Sequence, residues 1–238
     1  MDLRDGFAYS KGCDRSAIGK VAAVANAWMP GAGRVRCPVP DGAVLRGGAP
    51  RCVWLTTESD PRALSARAVA QRLIADGAHA HLVWNPLSGE TVQLLPATVP
   101  AAGQLTAVGA DRAREGRVCV VVRVLGHAWS PFTETPMAGL APILRWLDSW
   151  GVPRRWPAGA PPAMPVLVGT GGDEHAWARG GHFGHSQVPG AHAGGPGAIS
   201  PARILGTAAP AAPTASAPLP RVGSGGNGDR PYARVAGS

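Results

Sequence analysis

Val118-Cys119-Val120-Val121-Val122-Arg123-Val124-Leu125 is the stretch on which the fold turns. It is almost wholly apolar and mostly β-branched, as in a strand covered on both faces; a strand wetted on one face would alternate. Such a strand belongs inside a sheet with layers on either side. Upstream, Cys52-Val53-Trp54-Leu55 is a second short apolar strand. Asp60 and Pro61 then offer an N-cap and a first-turn proline. Leu64, Ala68, Val69 and Leu73 recur at helical spacing to about Ala75, and Gly77 stops the helix. Two short strands, 81–84 and 91–95, flank Asn85-Pro86-Leu87-Ser88-Gly89, which is turn chemistry, so the pair predicts a hairpin. Downstream, Leu140, Ile143, Leu144 and Leu147 follow helical spacing and predict a helix ending before Gly151. Residues 164–168 read as a further strand, and the glycine-rich 169–197 as a loop. The order predicts one α/β domain over about 28–205, a single mixed central β-sheet flanked by helices.

The composition fits that domain with something to spare. The chain has 238 residues, 45% hydrophobic, enough for a sizeable core. Gly and Pro number 33 and 24, close to the level of low-complexity sequence, so part of the chain is expected to lack structure. Residues 1–27 read as an N-terminal extension with a short helix at 16–27, and 28–50 as an irregular approach. After Leu205 the chain turns to Ala, Pro, Gly and Ser with few large apolar residues. It cannot bury enough surface to offset its chain entropy, so 206–238 is expected to be a disordered tail.

The formal charge is +8, and only Lys11 and Lys20 are lysines among the 23 basic residues. Nucleic acid is the first partner such a balance suggests. Yet the arginines are dispersed along the chain, without a basic helix or an aromatic stripe, which leaves nucleic acid the weaker reading. An anionic polymer would be served as well, and the excess of Arg over Lys also fits a GC-rich coding bias. No apolar run reaches 18 residues, so no membrane span or membrane partner is expected. The run from Val21 to Ala27 is short and lies too far in for an export signal, which points to a cytoplasmic location. The cysteines Cys13, Cys37, Cys52 and Cys119 form no C-x-x-C pair and so no zinc ribbon. Cys119, inside an apolar run, is expected to be a buried thiol.

Three segments hold most of the chemistry-bearing residues: Trp54-Leu55-Thr56-Thr57-Glu58, His81 to Pro96, and Gly180-Gly181-His182-Phe183-Gly184-His185-Ser186-Gln187-Val188-Pro189 running on to Gly197. In this order, with Trp28-Met29-Pro30-Gly31-Ala32, Met137-Ala138-Gly139-Leu140 and Trp146-Leu147-Asp148, the chain resembles the zinc-dependent N-acetylmuramoyl-L-alanine amidase and peptidoglycan-recognition family. The likeness is to its actinobacterial and phage branch and covers about 28–205. It implies a fold that binds peptidoglycan and, in working members, cuts the amide between the lactyl group and L-alanine. A zinc ion polarises the carbonyl and activates water there, which requires three protein ligands and one open position. It also admits a phage-associated protein acting at the cell wall.

Carried over residue by residue, the resemblance implies a degenerate metal site. The first ligand position is Leu55, which cannot bind zinc. The second is His185, which is intact. The third is Gly195, where relatives have Asp. The assisting acid falls on Arg123 and the basic partner on Ala193. One histidine does not hold zinc tightly. The expected cofactor is therefore none, with zinc only if other residues rebuild the ligand set. His182, His185 and His192 lie close enough in sequence to be weighed for that, with His79 and His81, although loop histidines are more often plain polar groups. The expected ligand contacts are Thr56, Thr57, Trp84, Arg123 and His182. Thr56, Thr57 and Glu58 equally suit a capped turn, and Trp84 and Trp129 suit a core or rim as well as a sugar-stacking face.

Three functions follow as expectations. The first is an impaired amidase-like protein that binds peptidoglycan fragments or serves as an interaction module. The second is an active zinc amidase with relocated ligands. The third is a basic assembly or nucleic-acid-associated protein. The glycines at 180–197 lack the G-x-x-x-x-G-K pattern of a phosphate loop. Ser186 has no partners at a triad spacing.

Overall fold

The computed structural model describes residues 25–39, 42, 44–106, 109–163, 172–191 and 195–207. The strand expected at 164–168, His192, Ala193, most of the N-terminal extension and residues 208–238 of the tail lie outside them. The chain divides into two compact units, Met1–Thr207 and Ala208–Ser238, and all the described residues belong to the first.

Among the described residues the expected α/β architecture is present as one mixed six-stranded sheet with four α-helices. The strands are β1 (Gly33–Arg34), β2 (Arg51–Thr56), β3 (Leu82–Trp84), β4 (Thr91–Gln93), β5 (Cys119–Val124) and β6 (Gly181–Gly184). They lie in the order β1-β4-β3-β5-β2-β6. The helices are α1 (Ala66–Ala75), α2 (Leu140–Ser149), α3 (Glu174–Arg179) and α4 (Pro201–Leu205). The β3–β4 pair is the antiparallel hairpin; β5 runs parallel to both β3 and β2, and β2 parallel to β6.

β2 and β5 lie in the interior of the sheet, and every residue of β2 is buried. Side chains alternate between two faces. Cys52, Trp54, Val120, Val122, Leu82 and Trp84 enter a core with Leu140, Ile143, Leu144 and Leu147 of α2. Val53, Leu55, Cys119, Val121 and Phe183 form the opposite core with Leu95, Leu105 and Val188. The β3–β4 end packs on Val69, Ala70 and Leu73 of α1. Fully burying each large side chain contributes about 1.5–3 kcal/mol, which is what closes both faces.

Two local readings are corrected. Helix α1 starts at Ala66, not at Asp60–Pro61. Ser65 Oγ accepts from Ala68 N at 3.1 Å, while the Glu90 carboxylate accepts from Ala66 N and Arg67 N. Those contacts satisfy the exposed first-turn amides, and Asp60–Pro61 is left as a turn. The second correction is the supposed loop at 169–197, which contains α3 and β6. Gly181, at φ 111, has no side chain to collide with the Arg155 carbonyl, so the strand can lie against residue 155. Arg155 O accepts from His182 N at 2.9 Å, covering part of the outer edge of the sheet.

Candidate functional site

Parallel α/β sheets present their functional groups at the carboxyl ends of the strands. At that edge, register sets two side chains beside each other. Leu55 pairs with Arg123 across β2 and β5, while on the other side β6 ends at Gly184, opposite Trp54, and His185 begins the 3-10 turn that follows. Alternation puts Leu55 and Arg123 on the face that carries Val53 and Val121, and His185 meets Leu105 of the same core. These are the positions that the family resemblance assigns to a ligand, an assisting acid and a second ligand.

Their surroundings do not fit a zinc ion. Leu55 is 4% exposed and packs in the apolar core. His185 Nε2 lies 2.9 Å from the Leu105 carbonyl, which engages the ring nitrogen as a donor. Gly195 packs against Thr56 and Ala128, and a Cβ there would fall far inside van der Waals contact with Thr56 Oγ1. Thr56 belongs to the other face of β2 from Leu55. No cluster of three His, Cys, Asp or Glu side chains able to hold a metal occurs among the described residues.

Arg123 is half-buried. Its Nη2 donates to Gln104 Oε1 at 3.5 Å, and its buried Nε has no hydrogen-bond partner. Burial lowers its pKa from the ordinary arginine value. Thr57 closes the end of the strand: its N donates to Val124 O at 3.0 Å, while its buried Oγ1 is unpartnered.

Trp84 and His182, read from the sequence as ligand contacts, are closed off. Trp84 is 0% exposed, with Nε1 donating to Ala138 O at 2.8 Å and its ring edge-on to Trp54 and Phe132. No face of it is open to a sugar. His182 is buried, stacked against Trp54 and Trp156, and its Nδ1 accepts from Trp54 Nε1 at 3.1 Å. Desolvation holds its pKa down to about 4, so the ring is neutral at pH 7. Both residues are core because layers cover the sheet on each side, which a short strand segment does not reveal by itself.

The open surface lies beyond the strand ends. A crevice of about 310 Å³ is lined by Pro61, Arg62, Leu87, His127, Trp129 and Ser130 among others. Trp129 is 71% exposed, and its ring stacks on His127 with centroids 4.6 Å apart and planes 16° from parallel. Glu58 ties this platform to β2. Its carboxylate accepts from Thr56 Oγ1 at 2.5 Å and from Ala128 N at 3.1 Å, and lies 3.6 Å from His127 Nδ1. Glu58 has a φ of 50°, an uncommon conformation for a residue with a side chain, and these contacts hold it there. Sequence reading weighed Trp129 and Glu58 but missed His127. Only the turn that stacks 127 on 129 gives it a role.

No protein-family model matches the chain, and no curated protein matches it. A solved structure with some likeness is the Ph2119 endolysin from Thermus scotoductus MAT2119 bacteriophage Ph2119. The two share 13% identity over 71% of this chain and 91% of that one, with a TM-score of 0.41. A likeness at that level carries no argument about what this chain does.

Among the described residues, no helix is long and apolar enough to cross a membrane.

Proposed function

We propose that this chain binds a muropeptide-like fragment of peptidoglycan at the carboxyl edge of its sheet and does not cleave it. The observation that carries the reading is the register pair Arg123–Leu55, with His185 in the turn that follows β6. The amidase-like sequence order leads one to expect metal ligands and an acid at these positions; they instead hold a cation, an aliphatic side chain and a histidine engaged by the Leu105 carbonyl. Hydrolysis by the zinc route needs three converging ligands and an open position. An apolar residue and a cation at the centre of that arrangement oppose both metal binding and water activation.

Binding needs less. The crevice beyond the strand ends offers an exposed indole held flat by a neighbouring imidazole, with Arg62 and Ser130 as polar groups on the wall. An indole face suits the apolar face of a sugar ring, and the polar groups suit its hydroxyls. Thr56, Thr57 and Arg123 stand at the strand ends, and Thr56 is joined to the crevice platform through Glu58. A zinc-loaded sample incubated with dye-labelled cell walls tests the reading. Binding to the walls without dye release agrees with it. Dye release that a chelator abolishes would show an active amidase with relocated ligands instead.

A further inference from the structure

A guanidinium inside a protein is normally matched by carboxylates or carbonyls, because stripping water from an unpaired charge costs several kcal/mol. Arg123 departs from this. No acidic side chain among the described residues forms an ion pair with it. Its Nε is buried and unpartnered, and its one hydrogen bond among the described residues, from Nη2 to a neutral amide oxygen of Gln104, is at the limit of length. Buried Arg51 shows how the same fold treats a structural arginine. Its Nε and Nη2 both donate to Trp177 O, at 3.1 and 2.9 Å, and its guanidinium lies over the Trp177 ring, so that only its Nη1 is left unpartnered.

Place matters as much as pairing. Arg123 is next to Leu55 in register, at the carboxyl end of an interior strand, where a bound ligand would lie. The Gln104 oxygen marks where an acceptor belongs. Gln104 is itself held at its other end, with Nε2 donating to Gly77 O at 3.2 Å. A carboxylate oxygen in the same region would give Arg123 a charge-assisted bond in place of a long neutral one.

We propose that Arg123 is an anion-binding residue that takes a carboxylate of the bound ligand. A positive side chain at the assisting-acid position would thus make the edge a receptor for negatively charged peptide ends. The inference rests on the muropeptide reading for the identity of the carboxylate, and its test separates the two.

The probes are an N-acetylmuramoyl tripeptide with free carboxylates and the same molecule with every carboxylate converted to carboxamide. Calorimetry on the full chain should show at least tenfold tighter binding of the free acid. Arg123→Met and Arg123→Gln should abolish that preference, with the free acid losing far more affinity than the carboxamide, and Arg123→Lys should keep part of it. The Arg123 Nε–H resonance should shift when the acid binds to the wild-type chain, a signature that loss of folding cannot mimic. Equal affinity for the two probes, or an unchanged preference in Arg123→Met, would overturn the role of Arg123 while leaving fragment binding intact. Binding of neither probe would overturn both the muropeptide reading and the carboxylate assignment.

Discussion

Leu55 stands in register beside Arg123 across two parallel strands, an aliphatic side chain against a guanidinium with no carboxylate partner among the described residues. Leu55 is the position to which the amidase resemblance read from the sequence assigns a first metal ligand. The pairing makes the strand edge suited to holding an anion and unsuited to holding a dication.

Restoring one ligand should therefore not restore a metal. Leu55→His places a polar ring in an apolar core and next to a cation, and should cost about 1–3 kcal/mol of stability. Added zinc should leave the melting temperature of this variant unchanged. A rise of several degrees with zinc would show that His185 and other groups do converge.

Gly195, to which the resemblance assigns a third ligand, is closed in by packing. Gly195→Ala should lower stability by about 1–3 kcal/mol, since its Cβ would run into Thr56 Oγ1. Thr56→Ala should relieve much of that cost in the double variant. Urea denaturation of the four proteins in a double-mutant cycle gives the coupling, and additive effects would count against the clash.

Two tryptophans should separate stability from binding. Trp84→Ala removes a fully buried ring from the aromatic core and should cost about 3–5 kcal/mol. Trp129→Ala, at an exposed site, should change stability by no more than about 0.5 kcal/mol and weaken muropeptide binding instead. Thermal melts beside calorimetric titrations distinguish them. A Trp129→Ala variant with full affinity would remove the crevice from the account.

Acid should destabilise the fold before its carboxylates titrate. Burial lowers the pKa of both His81 and His182 to about 4, against an unfolded value near 6.5. Above pH 6.5 both states are neutral and stability is full. As the pH falls from 6.5 towards 4 the unfolded chain takes up protons that the folded chain refuses, so stability is lost. Between pH 7 and pH 5 each histidine should cost about 2 kcal/mol. Urea midpoints measured across that range should fall, and a flat profile would show that neither ring is neutral by burial.

The strongest elements were legible because they rest on local chemistry. The β-branched run of β5, the apolar run of β2 and the helical spacing of Leu140, Ile143, Leu144 and Leu147 each lead to the observed element. Strand β6 was hidden because Gly181 and Gly184 carry no side chain to show alternation; its place in the sheet comes from pairing with β2. The start of α1 was misplaced because Glu90, which caps it, is 24 residues from Ala66. The same limit applies to the site. That Leu55, Arg123 and Gly195 are not metal-ligating residue types could be read along the chain. The burial of Trp84 and His182, and the stacking of His127 on Trp129, come from layers and turns that one segment does not reveal.

The central claim is binding without cleavage, and one isothermal titration measures both parts. A muropeptide is injected into the full chain in the presence of equimolar zinc. The account predicts saturable heats that return to baseline after each injection, with the muropeptide recovered intact. Heats that never saturate above dilution, or a sustained heat of turnover with free stem peptide in the cell, would contradict it.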